Sequence, residues 1–77
     1  MKKVEVRWID SKVYLDQVPE GEIEPPCQVT SVGYLVKEFP EWIAIARERI
    51  DGEWRGVITI PKVAIEETKE LKEESGK

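Results

Sequence analysis

The chain has 77 residues with one cysteine, no histidine, and twelve Lys and Arg against sixteen Asp and Glu, a net charge of −4. Such a length makes one domain whose core is near the lower limit of self-sufficiency, and the lone Cys27 has no partner for an intramolecular disulfide. The acidic balance argues against generic nucleic-acid binding, which depends on Lys and Arg neutralising phosphates, and the missing histidine removes the commonest metal ligand and general base.

Residues 2 to 9 alternate, with Val4, Val6 and Trp8 on one face and Lys3, Glu5 and Arg7 on the other, which predicts a half-buried first strand. Asp10-Ser11 ends it. A long connection then runs to about Pro26, in which Val13, Tyr14, Leu15 and Val18 either add a short strand or pack as a flap. Pro19-Glu20-Gly21-Glu22 is turn chemistry and Pro25-Pro26 is extended. Glu20, Glu22 and Glu24, with Asp16 nearby, make this the most acidic stretch outside the C-terminal tail. It reads either as a docking site for a basic partner or, preferably, as a loop kept soluble by its charge.

A second strand is expected over residues 28 to 37. It joins the next strand through Glu38-Phe39-Pro40-Glu41, where Pro at the second central position of a type I turn is disfavoured, so a loose link is expected. Its register is open: either Val32, Tyr34 and Val36 or Gly33 and Leu35 face the core, and a glycine within a strand marks a bend or a close backbone approach.

The clearest signal spans residues 44 to 60, two β-rich runs flanking Asp51-Gly52, a pair suited to the positive φ angles of a two-residue type I′ turn. With Ile50 opposite Glu53, the register runs through Arg49 with Trp54, Glu48 with Arg55, Arg47 with Gly56, Ala46 with Val57, Ile45 with Ile58, Ala44 with Thr59 and Ile43 with Ile60 to Trp42 with Pro61. Ile43, Ile45, Ile58 and Ile60 then share one apolar face, with the Arg49 and Trp54 pair on it near the turn. Trp42, Ala44, Ala46, Val57, Thr59 and the Glu48 and Arg55 pair take the other.

After Pro61 the sequence supports two readings. Pro61 at a first helical position, followed by Glu66, Glu67, Lys69, Glu70, Leu71 and Lys72, suits a helix. The alternative is a 3₁₀ turn over residues 61 to 64 and a last strand over 65 to 71 that pairs with the first and closes a barrel. The strand is preferred because without it the first strand keeps an open edge. Residues 72 to 77 are then a disordered tail on a single 1–71 domain. The expected fold is all-β: strand, long loop, three-stranded meander, 3₁₀ turn and short last strand, the order of a small five-stranded SH3-like barrel.

At Trp8-Ile9-Asp10-Ser11, Ser31-Val32-Gly33-Tyr34-Leu35-Val36-Lys37-Glu38, Ile45-Ala46 and Ile60-Pro61-Lys62 the chain resembles a family of short uncharacterised phage, prophage and microbial proteins. That resemblance spans nearly the whole chain and implies a small SH3-like barrel; it carries no biochemical activity. Lys12-Val13-Tyr14 departs from the Gly-Trp expected there. A looser likeness is to SH3 domains, whose peptide groove uses a tryptophan early in a meander strand and a proline before a 3₁₀ turn, the places of Trp42 and Pro61. The aromatic-rich opening of that groove is missing here unless Tyr14 supplies it.

Cys27 as a nucleophile lacks a histidine base, and the Glu residues fall in loops and tail rather than in an apolar site. No catalytic, metal or cofactor site is expected. With no apolar run near the length of a membrane span, about 18 residues, and no signal or lipidation motif, a cytoplasmic setting is expected. The abundance of Glu and Lys is the direction of thermophile compositions. The function expected is a non-enzymatic protein-interaction or accessory module. Its peptide site would use Trp42, Pro61, Tyr14, Glu20, Glu22 and Glu24, the acidic loop folding toward the Trp42 indole. Trp42 as a structural plug is the competing reading of that residue, and a nucleic-acid-binding small barrel is the competing function.

Overall fold

The structure, a computed structural model, describes residues 1–72. The expected tail falls outside them, except for Lys72, which has no regular structure. The chain forms β1 (Lys3–Asp10), β2 (Cys27–Glu38), β3 (Trp42–Ile50), β4 (Glu53–Pro61) and β5 (Ile65–Leu71), with 3₁₀ turns at Glu20–Glu22 and Lys62–Ala64. All five strands belong to one antiparallel sheet ordered β4-β3-β2-β1-β5, and no α-helix occurs among the described residues.

Asp51 and Gly52 both adopt positive φ, 52° and 80°, as a type I′ turn requires. The expected register follows from Ile50 opposite Glu53 to Trp42 opposite Pro61. One position departs from it: Arg47 and Gly56 are not paired, and Gly56 has φ of 70°. A Cβ there would lie 2.8 Å from Arg47 Cδ, so the glycine leaves room for the arginine stem.

β2 serves two partners in turn. Residues 27 to 34 pair with β1, whereas residues 34 to 38 pair with β3. At the changeover a Cβ on Gly33 would come 2.6 Å from the Ala46 carbonyl oxygen, which is the close backbone approach that a strand glycine permits. The open register is thereby resolved in favour of Gly33 and Leu35. Leu35 lies opposite Ile45 and packs on the core, while Val32 is largely exposed. A bulge at Val36 then shifts the remaining pairs to Lys37 with Ala44 and Glu38 with Ile43.

After Pro61 the strand is found and the helix is not. β5 runs antiparallel along β1, from Ile65 opposite Trp8 to Leu71 opposite Lys3. A bulge at Glu66 lets Arg7 meet two carboxylates, Glu66 at 3.5 Å and Glu67 at 2.8 Å. Closure into a barrel does not occur, because β4 and β5 stand at opposite ends of the sheet order. They share only the Lys62–Ala64 turn, and β5 leaves it along β1 while β4 stays with β3.

The core consists of Val4, Val6, Trp8, Ile43, Ile45 and Ile60, with Val29, Leu35, Ile58, Ala64 and Ile65 packed against it. Trp8 keeps its indole N–H satisfied by donating to Ser31 Oγ at 3.1 Å. Ala44 and Ala46 are also buried, although they face away from the isoleucines. Each sits between larger neighbours in the ladder, Lys37 and Thr59 or Tyr34 and Val57, which cover so small a side chain. Ile58, expected in the core, is only partly buried, whereas Ile60 on the same strand is fully buried. Ile58 borders an opening lined by Ser31, Arg47 and Gly56, where the glycine supplies no side chain to cover it. Ile45→Ala should therefore destabilise the protein by about 2–5 kcal/mol, as fully buried truncations do, and Ile58→Ala by clearly less. Urea unfolding of the two variants checks this; equal losses would mean that the burial difference has no energetic weight.

Candidate functional site

The reversal between β2 and β3 is tighter than the sequence suggested. Phe39 N–H donates to the Trp42 carbonyl at 2.9 Å, so Pro40 and Glu41 form the reversal and proline occupies its first central position, where a fixed φ is favourable. Phe39 and Trp42 flank the reversal as neighbours, and their rings lie 4.7 Å apart at 35°. Lys62 N–H donates to the Glu41 carbonyl at 2.9 Å, tying the 3₁₀ turn to the same corner.

Trp42 faces Pro61 across the ladder, as the hairpin register requires. Together with Thr59 and Ile60 they line an apolar cleft of about 300 Å³. None of these four residues is ionisable. Phe39 is 43% exposed and extends the apolar surface. Beside it, Glu38 pairs with Lys62 at 3.3 Å, and the Lys37 ammonium lies 5.9 Å from the centre of the Phe39 ring. Glu41 is exposed and makes no ion pair among those described. Phe39 did not emerge from the sequence as a site residue. The available signal was the pair of aromatic residues flanking Pro40 and Glu41, legible once that dipeptide is taken as the whole reversal.

The other expected site residues belong to the loop between β1 and β2. Of the two readings left open for this loop the short strand is not found: Val13, Tyr14, Leu15 and Val18 have no strand structure, and Val13, Leu15 and Ile23 are exposed. Glu20 and Glu22 sit in the first 3₁₀ turn, where Glu22 N–H donates to Pro19 O at 2.9 Å and Ile23 N–H to Glu20 O at 3.2 Å. Tyr14 accepts a hydrogen bond at its hydroxyl from Glu24 N–H at 3.0 Å, and the Glu24 carboxylate pairs with Lys12. These contacts tie the two arms of the loop to each other. The loop enters β2 at Cys27, whereas Trp42 follows the Glu38 end of that strand. Among the described residues no hydrogen bond or ion pair joins Tyr14, Glu20, Glu22 or Glu24 to Trp42 or Pro61. The structure thus brings Trp42 and Pro61 together, adds Phe39, and gathers Tyr14 and Glu24 at a separate place.

A second aromatic cluster lies on another part of the surface. Trp54 has the Arg49 guanidinium 4.9 Å from its ring centre, as the hairpin register predicts, and the Tyr34 ring 5.9 Å away. Lys3 lies 5.7 Å from the Tyr34 ring. Tyr34 pairs with Ala46 and so faces away from the isoleucines. Trp54 was expected on the isoleucine face, but its ring lies within reach of Tyr34; between Trp54 and Ile58 stands the unpaired Gly56 with its positive φ.

Cys27 is exposed at the start of β2, opposite Asp10. Among the described residues no three Cys, Asp or Glu side chains gather to hold a metal ion, and no helix is long and apolar enough to cross a membrane. No protein-family model, curated protein or solved structure matches the chain.

The Lys12 and Glu24 pair has a pH signature. Its hydrogen bond, reinforced by charge attraction, holds the Glu24 carboxyl below its ordinary range, and the same bond holds the Lys12 ammonium above its own. Since Glu24 titrates lower in the folded loop, its contribution is present at neutral pH and is lost as pH falls through the lowered value. Lys12 mirrors this, its contribution being lost only as pH rises through the raised value. The Glu24 amide should accordingly lose protection from exchange as pH falls through the lowered value, and Lys12→Met should remove that pH dependence. A Glu24 amide whose protection, after correction for intrinsic exchange, does not change over a full acid titration from neutral pH would rule out the tie.

Proposed function

We propose that the protein is a non-enzymatic interaction module with an SH3-like order of strands in an open sheet, and that it binds an extended, Pro-containing peptide at Trp42, Phe39 and Pro61. The SH3 likeness is supported by the sheet order, by the long β2 shared between two partners, and by the 3₁₀ turn between β4 and β5. A link to mobile elements rests on the family resemblance alone. The observation that carries the ligand reading is the cleft itself: an indole and a proline ring paired across the ladder, extended by a second aromatic ring and walled without ionisable groups. A polyproline segment is already extended when free, so it loses little entropy on docking against aromatic walls. A cation flanking the proline run is met by Glu41, next to Trp42 in the chain, whereas Glu20 and Glu22 have no contact among the described residues that brings them to this cleft. Exposed ion pairs add only about 0–1 kcal/mol, so affinity comes mainly from the rings and is weak.

Titrating basic Pro-rich peptides should quench or shift Trp fluorescence and move the amide signals of Trp42, Phe39 and Lys62. Trp42→Ala should abolish binding, and Glu41→Gln should weaken it more than Glu20→Gln with Glu22→Gln. Unmoved signals around Trp42 would leave that tryptophan a structural plug at the corner of the sheet.

The second reading, a single-strand nucleic-acid surface, is favoured by one observation, the Tyr34 and Trp54 rings with Lys3 and Arg49 over them. Stacked bases with phosphates on flanking cations fit such a cluster, although the net charge opposes it. Binding of mixed oligonucleotides at low salt that falls steeply as salt rises and is lost in Trp54→Ala would establish this reading; no retention at about 20 mM salt would exclude it.

A further inference from the structure

We propose that the free edge of β4 is a self-association edge, on which a second copy of this chain adds its own β4 antiparallel across a two-fold axis. The sheet has two ends, and they differ in chemistry. β5 carries Glu66, Glu67, Lys69 and Glu70 within its seven residues, the charged side chains that guard a strand edge against addition. β4 carries no charge from Gly56 to Ile60; its run Val57, Ile58, Thr59 and Ile60 is wholly β-branched. The N–H and C=O groups of alternate residues are taken by β3, those of the others point outward, and among the described residues no strand lies on that side. Val57 is 51% exposed, and Ile58 on the opposite face is only partly covered. An added strand therefore gains backbone hydrogen bonds and apolar contacts on both faces.

The occupant that fits is the same edge of a second molecule. Antiparallel pairing with Ile58 on the axis sets Val57 of one copy opposite Thr59 of the other and Gly56 opposite Ile60. Arg55 then falls opposite Pro61, so no two like charges face each other along the strands. Pairings of β-branched residues are favourable in such a ladder, and the arrangement is isologous, as a two-fold dimer requires. A single strand pair buries less than the roughly 1,200–2,000 Å² of a standard interface, so the dimer is weak. The charge of −4 on each copy opposes association, and salt, by screening it, strengthens the dimer.

Sedimentation velocity of the full chain between about 10 µM and about 1 mM should show a monomer passing to a dimer, with the shift at lower concentration in high salt. The amides of Gly56, Ile58 and Ile60, which point away from β3, should gain exchange protection with concentration. Val57→Lys, at an exposed position, should keep the circular dichroism of the parent and weaken association at least tenfold, while Glu67→Gln on β5 leaves it intact. Should Val57→Lys fail to fold, Thr59→Lys carries the same test. A parent that stays monomeric to about 1 mM, or a folded edge variant that dimerises as the parent does, overturns the proposal.

Discussion

The architecture depends on the contact between Gly33 and the backbone of Ala46. β2 must hold β1 with its first part and β3 with its second, and the two partners lie on different halves of a bent sheet. Only a residue without Cβ lets the Ala46 carbonyl come as near as this changeover demands. The bend folds Val4, Val6 and Trp8 of one half onto Ile43, Ile45 and Ile60 of the other, so a single sheet supplies both walls of its own core. For a chain of 77 residues with no disulfide, that economy of layers is what makes enclosure of a core feasible.

The same bend leaves surfaces uncovered. β5 follows β1 while β4 stays with β3, so the ends of the sheet separate beyond the Lys62–Ala64 turn and β4 keeps a bare edge. At the corner where the chain reverses into β3, Phe39, Trp42 and Pro61 gather because a two-residue reversal and the hairpin register converge there. The aromatic pair Tyr34 and Trp54 lies elsewhere, with Arg49 over the Trp54 ring. Three chemically different surfaces thus follow from one geometry: an apolar cleft, a cation-flanked aromatic pair and an uncharged strand edge.

How much of the site was legible in the sequence follows the range of the interactions involved. Trp42 opposite Pro61 was legible because a two-residue turn at Asp51-Gly52 sets every later pair by counting. Phe39 was not, since it depends on which two of four residues make the reversal around Pro40. Where Glu20, Glu22 and Glu24 would lie was not legible either. A sixteen-residue loop between Asp10 and Cys27 has no periodicity to count along, and its Lys12, Tyr14 and Glu24 contacts hold it to itself.

The sequence by itself determined the first four strands and the hairpin register, because alternation and turn chemistry act between neighbours and repeat with a known period. After Pro61 it left strand and helix open, and pairing along β1 decided for the strand. Tertiary structure decided what local pattern cannot carry. It selected Gly33 and Leu35 as the core face of β2, since only they fit against Ala46 and Ile45. It left the sheet open where a closed barrel was expected, since closure depends on where two strand edges end up in space. It buried Ala44 and Ala46 on the outer face, since their larger neighbours on adjacent strands cover them.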